Sequence, residues 1–273
     1  MHDHNNIEAT RNGQVVLPRR VLNFRPRPHR EASAKVVRPA EGHSDAATSM
    51  YSNGTYLAAH PTWHAEDSPW KARQIVHMLS KHRLQPRSVA EVGCGAGEIL
   101  LQLSNEFPDA SFRGFDISEH AIALARPKET QRVKFFHSDV CQSARSFDVL
   151  LTMDVIEHVE DCFGFLRGIR NKAEYKLFHI PLDMSVSLLV RGRITQLRQS
   201  VGHLHYFTKA TALALLRETG YEIIDYFYTP EYELASSDPA HRLMSGVRRF
   251  GMQVAPDMTS LLLGGCPVLV LAK

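Results

Sequence analysis

The sequence predicts an α/β fold built on a seven-stranded sheet with helices on both faces. Three observations carry that reading. Short apolar runs rich in β-branched residues alternate with amphipathic helical stretches from residue 88 onward. The first run, Ser88 to Val92, breaks into the turn Gly93-Cys94-Gly95-Ala96-Gly97, after which Ile99, Leu100, Leu101 and Leu103 recur at helical spacing. Each of the next three runs ends at or just before a carboxylate: Asp116, Asp139 and Asp154.

Taken in order, residues 1–48 hold eight of the 32 Lys and Arg and five of the 29 Asp and Glu, which leaves 24 of each sign for the rest of the chain. This stretch is rich in Pro, Arg and small polar residues without periodicity, so it is expected to be a disordered basic tail. The remainder is neutral, which argues against a nucleic-acid-binding body. Residues 49–84 read as an N-terminal lid segment carrying Tyr51, Tyr56, Trp63, His64 and Trp70. Within it Ser68-Pro69 starts a helix that continues to Lys81, a capping side chain followed by proline at the first helical position. Residues 85–273 read as the catalytic domain.

Its predicted strands are Val89 to Val92, Phe112 to Phe115, Val133 to Phe136, Val149 to Met153, Tyr175 to Ile180, Tyr221 to Tyr226 and Val268 to Leu271. The helices between them are Glu98 to Glu106, Glu119 to Ala125, Cys162 to Asn171 and Lys209 to Thr219, with one more around Ala240 to Phe250. Insertions are expected at 182–205 and 227–262. A chain of 273 residues with 44% hydrophobic content can bury a full core. No run of about 18 uninterrupted apolar residues suggests a membrane span, and Met1-His2-Asp3-His4 lacks the order of a secretory signal, so a cytoplasmic location is expected. The four cysteines show no C-x-x-C pairing and are expected to be reduced and structural, with no zinc site.

A dinucleotide fingerprint, G-x-G-x-x-G, would need glycine at position 98. Glu98 stands there, and its carboxylate at the first helical turn would repel a diphosphate. The acidic residue Glu91, one apolar residue and then G-x-G-x-G instead resemble the S-adenosylmethionine-binding motif of class I methyltransferases. The block from Phe147 to Val159, FDVLLTMDVIEHV, is similar to the segment after the fourth strand in that family, particularly its small-molecule branch with the ubiquinone-biosynthesis O-methyltransferases. The resemblance covers residues 85–226, and Trp63 to Leu79 looks like that group's cofactor-covering helix. It implies a Rossmann-like mixed sheet of order 3-2-1-4-5-7-6 and S-adenosylmethionine as cofactor. By the same likeness Gly93, Cys94, Gly95, Gly97, Asp116, Ile117, Asp139, Val140, Met153 and Asp154 line the cofactor, and Lys71 holds its methionine carboxylate.

Residue chemistry agrees. A ligand of an open sheet sits outside the carboxyl ends of the strands. There Asp116, 23 positions after Gly93, can accept from ribose hydroxyls, Asp139 from the adenine amine and Glu91 from the ammonium group. Asp is equally common as a helix cap after a strand, so each has a structural reading as well.

If the acceptor is a hydroxyl, a histidine base assists, and the candidates are His158, His203, His205 and His64. Gly202 to Thr208 is the most unusual polar cluster outside the glycine turn. It reads as a base, as structural histidines capping a helix, or as a His-x-His metal pair. Arg191, Arg193 and Arg198 stand in the insertion without a local acid after Asp183, either gripping an acidic acceptor or forming an exposed helix face. The leading expectation is methyl transfer to a small-molecule hydroxyl by a monomer or homodimer, with Trp63 and His64 near the acceptor. The competing expectations are N-methylation, methylation of RNA or protein, and a cofactor-binding module without chemistry.

Overall fold

The computed structural model describes residues 62, 63, 65–230 and 239–273, with the backbone alone for 239–243. The expected basic tail and His64 lie outside the described residues.

Helix α1 (Ser68–Lys81) precedes the sheet. Then follow β1 (Ser88–Val92), α2 (Glu98–Glu106), β2 (Ser111–Asp116), α3 (Glu119–Ala125), β3 (Val133–His137) and β4 (Phe147–Met153). The chain continues through α4 (Cys162–Ile169), β5 (Ala173–Ile180), α5 (Val186–Val190), α6 (Ile194–Ser200), α7 (Lys209–Glu218) and β6 (Ile223–Tyr228). It ends with α8 (Pro239–Val254), α9 (Pro256–Leu263) and β7 (Val268–Ala272). The order across the sheet is β3-β2-β1-β4-β5-β7-β6, as the resemblance implies. Strands β1 to β5 pair in parallel, and β7 runs antiparallel to both β5 and β6.

Side chains alternate across a strand, so the sheet feeds two cores. Val89, Val149, Leu151 and Leu177 pack with Ile75 and Met78 of α1 and Leu100 and Leu103 of α2. Ala90, Leu150, Phe178 and Ile180 pack on the other face with Leu166 and Ile169 of α4 and Leu213 and Leu216 of α7. Each fully buried leucine or isoleucine contributes about 1.5–3 kcal/mol, so the sheet is held rigidly from both sides. Parallel pairing then brings the carboxyl ends of β1, β2, β4 and β5 to one rim, with Met153 level with His179.

Three elements depart from the sequence reading. Strand β6 starts at Ile223 rather than Tyr221, because Gly220 (φ +91°) closes α7 and Tyr221 is drawn into the core, its hydroxyl donating to the Leu166 carbonyl at 2.6 Å. The insertion at 182–205 folds into α5 and α6. The segment from 227 begins as strand and also carries α9, whose start is Pro256. No described helix is long and apolar enough to cross a membrane.

Candidate active site

A cavity of about 820 Å3 opens over the rim of the parallel strands. One wall is the glycine turn, where Gly93, Gly95 and Gly97 take φ of +66°, +52° and +81°. Gly97 is the residue before α2, and the left-handed backbone lets the chain reverse directly into that helix. At Gly95 a Cβ would stand 2.6 Å from Trp63 Cδ1, so the residue must be glycine for the indole to lie on the turn. Glu98 is paired with Lys128, which also donates to the Ala96 carbonyl at 3.0 Å.

Asp116 ends β2 and is buried. Its Oδ2 accepts from the Gly95 N–H at 2.9 Å and its Oδ1 from the Ser118 N–H at 2.8 Å, which leaves lone pairs on both oxygens for a ligand. Burial raises its pKa and these N–H donors oppose the rise. Glu91, on β1, is 1% exposed and its Oε2 has no partner among the described residues. Burial pushes this carboxyl well above the ordinary range, with the Lys71 charge opposing. Lys71 itself lies 2.6 Å from Asp154 Oδ2, and Asp154 Oδ1 is 2.5 Å from His179 Nδ1. Burial works against both charges of the Lys71–Asp154 pair; mutual attraction, with His179, wins, keeping Asp154 well below and Lys71 above their usual values. His179 Nε2 in turn meets Thr229 Oγ1 at 2.8 Å.

His158 and His203 also line the cavity. His203 Nδ1 donates to Asp183 Oδ2 at 2.6 Å, and its ring stands edge-on to His158 with centroids 4.8 Å apart. His158 Nδ1 donates to the Gly202 carbonyl at 3.2 Å. Burial, then the His203 charge, lower the His158 pKa to about 4, so it is neutral at physiological pH. Glu157 lies beside the pair, 0% exposed, with burial and the Asp154 charge pushing its carboxyl well up. Arg191 and Arg193 line the cavity too, as does Arg248 from α8.

The structure thus gathers most of the residues read from the sequence. Lys71, Glu91, Asp116, Ile117, Met153 and Asp154 join the three glycines and Cys94 on the cavity wall, as do Trp63, His158, His203, Arg191 and Arg193. It places four elsewhere, one of them Arg198, an exposed residue of α6 that does not line the cavity. Asp139 caps the turn at Val140–Gln142, its Oδ1 accepting from Cys141 N–H at 2.8 Å, and neither Asp139 nor Val140 lines the cavity. His205 Nε2 donates to the Val159 and Glu160 carbonyls at 2.9 and 3.1 Å, tying its loop to the segment after β4, and does not line the cavity either. Lys71 directs its ammonium to Asp154 rather than to open space. The sequence reading missed Glu157, His179, Asp183 and Arg248. His179 lies one residue before the end of β5, where the strand-end rule that selected Asp116 and Asp154 would have found it.

The residues fit the cofactor that the glycine motif implies. An orphaned buried oxygen on Glu91 suits an ammonium donor, the carboxylate of Asp116 suits a diol, and the turn has no room for a Cβ at Gly95. A family model described as a methyltransferase domain matches residues 64–226. The chain belongs to this methyltransferase family. Its cofactor is S-adenosylmethionine. The chain is 26% identical over 123 residues to a malonyl-[acyl-carrier protein] O-methyltransferase of Bacillus anthracis, covering 44% of this chain and 42% of that protein. It is 30% identical over 113 residues to the mitochondrial ubiquinone biosynthesis O-methyltransferase of Schizosaccharomyces pombe, covering 38% and 40%. These matches thus span about two fifths of each relative's length. The fold matches magnesium protoporphyrin IX methyltransferase from Synechocystis PCC 6803, solved with bound SAH, with a TM-score of 0.52 at 16% identity over 86% of this chain and 90% of that one.

Proposed function

We propose that this methyltransferase methylates a hydroxyl oxygen of a small acidic molecule. The observation that carries the reading is the lining of the cavity, to which the His158–His203 pair and three arginines, Arg191, Arg193 and Arg248, all contribute. S-adenosylmethionine supplies a methyl group already activated on a sulfonium. The protein's part is to hold an acceptor oxygen in line with it and to lower the cost of removing the hydroxyl proton.

An imidazole suits the second task. Asp183 holds the His203 ring through Nδ1, leaving Nε2 for another partner. The arginines suit the first, since a guanidinium fork matches a carboxylate or phosphate. Arg191 is held to its own helix by Ser187, at 2.7 Å to Oγ and 3.1 Å to the carbonyl, and Arg248 Nη2 donates to Leu263 O at 3.2 Å, so both guanidinium groups are oriented before a ligand arrives. The two curated relatives described above are both named as O-methyltransferases, which favours oxygen over nitrogen.

The test is incubation of cell extract with the protein and cofactor carrying an isotopically labelled methyl group, followed by mass spectrometry of each fraction. Label in an anionic small molecule, on an oxygen, is expected. Label confined to RNA, to protein or to nitrogen overturns the reading.

A further inference from the structure

Asp154 follows β4 with φ of +54°, a left-handed backbone that a side chain disfavours and that persists only where its surroundings hold it. Two neighbours do so. His179 takes the Asp154 N–H on its carbonyl at 3.0 Å and meets Asp154 Oδ1 through Nδ1 at 2.5 Å, while Lys71 Nζ reaches Oδ2 at 2.6 Å. Behind His179 the contacts continue. Its Nε2 stands 2.8 Å from Thr229 Oγ1, and the Thr229 hydroxyl and N–H donate to the Pro267 carbonyl at 3.1 and 2.8 Å. His179 is 3% exposed and Thr229 0%. The histidine side of Asp154 is thus anchored in the sheet and in the segment before β7, whereas the lysine side hangs on a flexible four-carbon stem.

S-adenosylmethionine ends in an ammonium and a carboxylate. Glu91 offers the ammonium a buried oxygen with no partner among the described residues, and Lys71 is the cation whose charge acts on Glu91. A ligand carboxylate arriving beside that ammonium therefore competes with Asp154 for Lys71. An aspartate on the cavity wall that loses its cation is left uncompensated unless another donor holds it. We propose that His179 is a positioning residue for the cofactor: it holds Asp154 while Lys71 passes its ammonium from Asp154 to the carboxylate of S-adenosylmethionine, and Thr229 fixes the ring for that task. The exchange replaces one ion pair by another, so the charge of Lys71 is matched before and after the ligand binds. It rests on the cofactor and not on the choice of acceptor.

Two ligands separate this role from a merely structural one. S-adenosylhomocysteine keeps the amino-acid end of the cofactor and 5′-methylthioadenosine lacks it; both are titrated by calorimetry into the parent and each variant. Lys71→Met and His179→Phe should each weaken S-adenosylhomocysteine by about 10- to 100-fold, as loss of a hydrogen bond to a charged group does, and change 5′-methylthioadenosine by less than about threefold. His179→Asn, whose amide replaces Nδ1, should recover most of the loss, and Thr229→Val should show a smaller loss of the same selectivity. In the Lys71→Met background His179→Phe should cost little more, because the two act on one contact. Binding of 5′-methylthioadenosine shows that a variant is folded; where His179→Phe fails that check, Thr229→Val carries the test by the same comparison. Equal losses for both ligands make His179 structural and overturn the proposal. So does S-adenosylhomocysteine binding that Lys71→Met leaves unchanged, or losses that add in full in the double variant. Failure here leaves the hydroxyl-oxygen reading standing, and methyl label on RNA, protein or nitrogen leaves this proposal standing.

Discussion

Lys71 Nζ lies 2.6 Å from Asp154 Oδ2, which joins helix α1 to the residue that follows β4. Asp154 is itself held at φ +54° and is gripped on its other oxygen by His179 at 2.5 Å. Lys71 therefore gives its charge first to Asp154, and Glu91, buried beside it, keeps a raised pKa.

A proton count on cofactor binding follows. Burial raises the Glu91 pKa in the free protein, and an ammonium group arriving at the orphaned Oε2 favours the ionised form. Binding of S-adenosylmethionine should release protons over the pH range in which Glu91 titrates, read as a calorimetric enthalpy that scales with the ionisation heat of the buffer. Glu91→Gln should remove that dependence. An enthalpy identical in phosphate and Tris for the parent protein would sink the idea.

The glycine turn gives a second expectation. Alanine at Gly95 would adopt a left-handed backbone at a cost of about 1–2 kcal/mol and would drive its Cβ into the Trp63 indole. Cofactor affinity should fall about tenfold or more. Trp63 and Trp70 are the protein's two tryptophans and both line the cavity, so saturation with cofactor should change the intrinsic fluorescence. Trp63→Phe should remove most of that change. Unaltered affinity in Gly95→Ala would contradict the tight fit.

The sheet and the glycine turn were legible because they rest on local pattern. Alternation of apolar runs with amphipathic helices fixes the element order, and the carboxyl end of a parallel strand is a place that sequence can mark. The same rule gave Asp116 and Asp139 equal standing, yet only Asp116 lines the cavity. Asp139 lies two residues beyond β3, where side-chain direction is set by the following turn rather than by the pleat, and that turn takes its carboxylate as a cap. Arg248 was out of reach for a different reason. It comes from α8, more than fifty residues after Arg193 in sequence, and no local periodicity records that the chain folds back to the cavity.

His158 predicts a window of acid sensitivity. Burial lowers its pKa to about 4, against about 6.5 in an unfolded chain, so below pH 6.5 the unfolded state binds more protons than the folded one. Its contribution is complete above pH 6.5 and is lost as the pH falls toward 4, an effect on the order of 3 kcal/mol. Urea melts across that window should show a slope that His158→Gln flattens. An equal slope in the variant would assign the acid sensitivity to other groups.

Arg248 and Arg191 should set preference among acceptors without serving the cofactor. Arg248 Nε is buried without a partner among the described residues, so a carboxylate reaching it would gain a charge-assisted bond. Such a bond contributes about 1.5–3 kcal/mol, which corresponds to roughly 10- to 100-fold in affinity. Arg248→Gln and Arg191→Ala should raise KM for an anionic acceptor by that order while a neutral analogue changes little. Equal losses for both acceptors would make the arginines structural.

His203 and His205 are two residues apart and have different surroundings, which separates their expected effects. His203 lines the cavity, and Asp183 fixes its ring. His205 does not line it, and its Nε2 is committed to the Val159 and Glu160 carbonyls. Replacing His205 with alanine removes the one N–H, shared between two carbonyls, that joins the loop to the segment after β4, and with it about 0.5–1.5 kcal/mol of local stability. Replacing His203 removes an imidazole from the cavity wall. His203→Ala should therefore lower single-turnover rates by about 100-fold or more while cofactor affinity holds. His205→Ala should lower the melting temperature and retain most of its turnover at low temperature, where the loop stays closed. Asp183→Asn should fall between, because the ring remains but loses the carboxylate that holds it. If His205→Ala instead matches His203→Ala in turnover while its melting temperature is unchanged, the proton-handling role belongs to His205 and the tether to the carbonyls must open during the reaction.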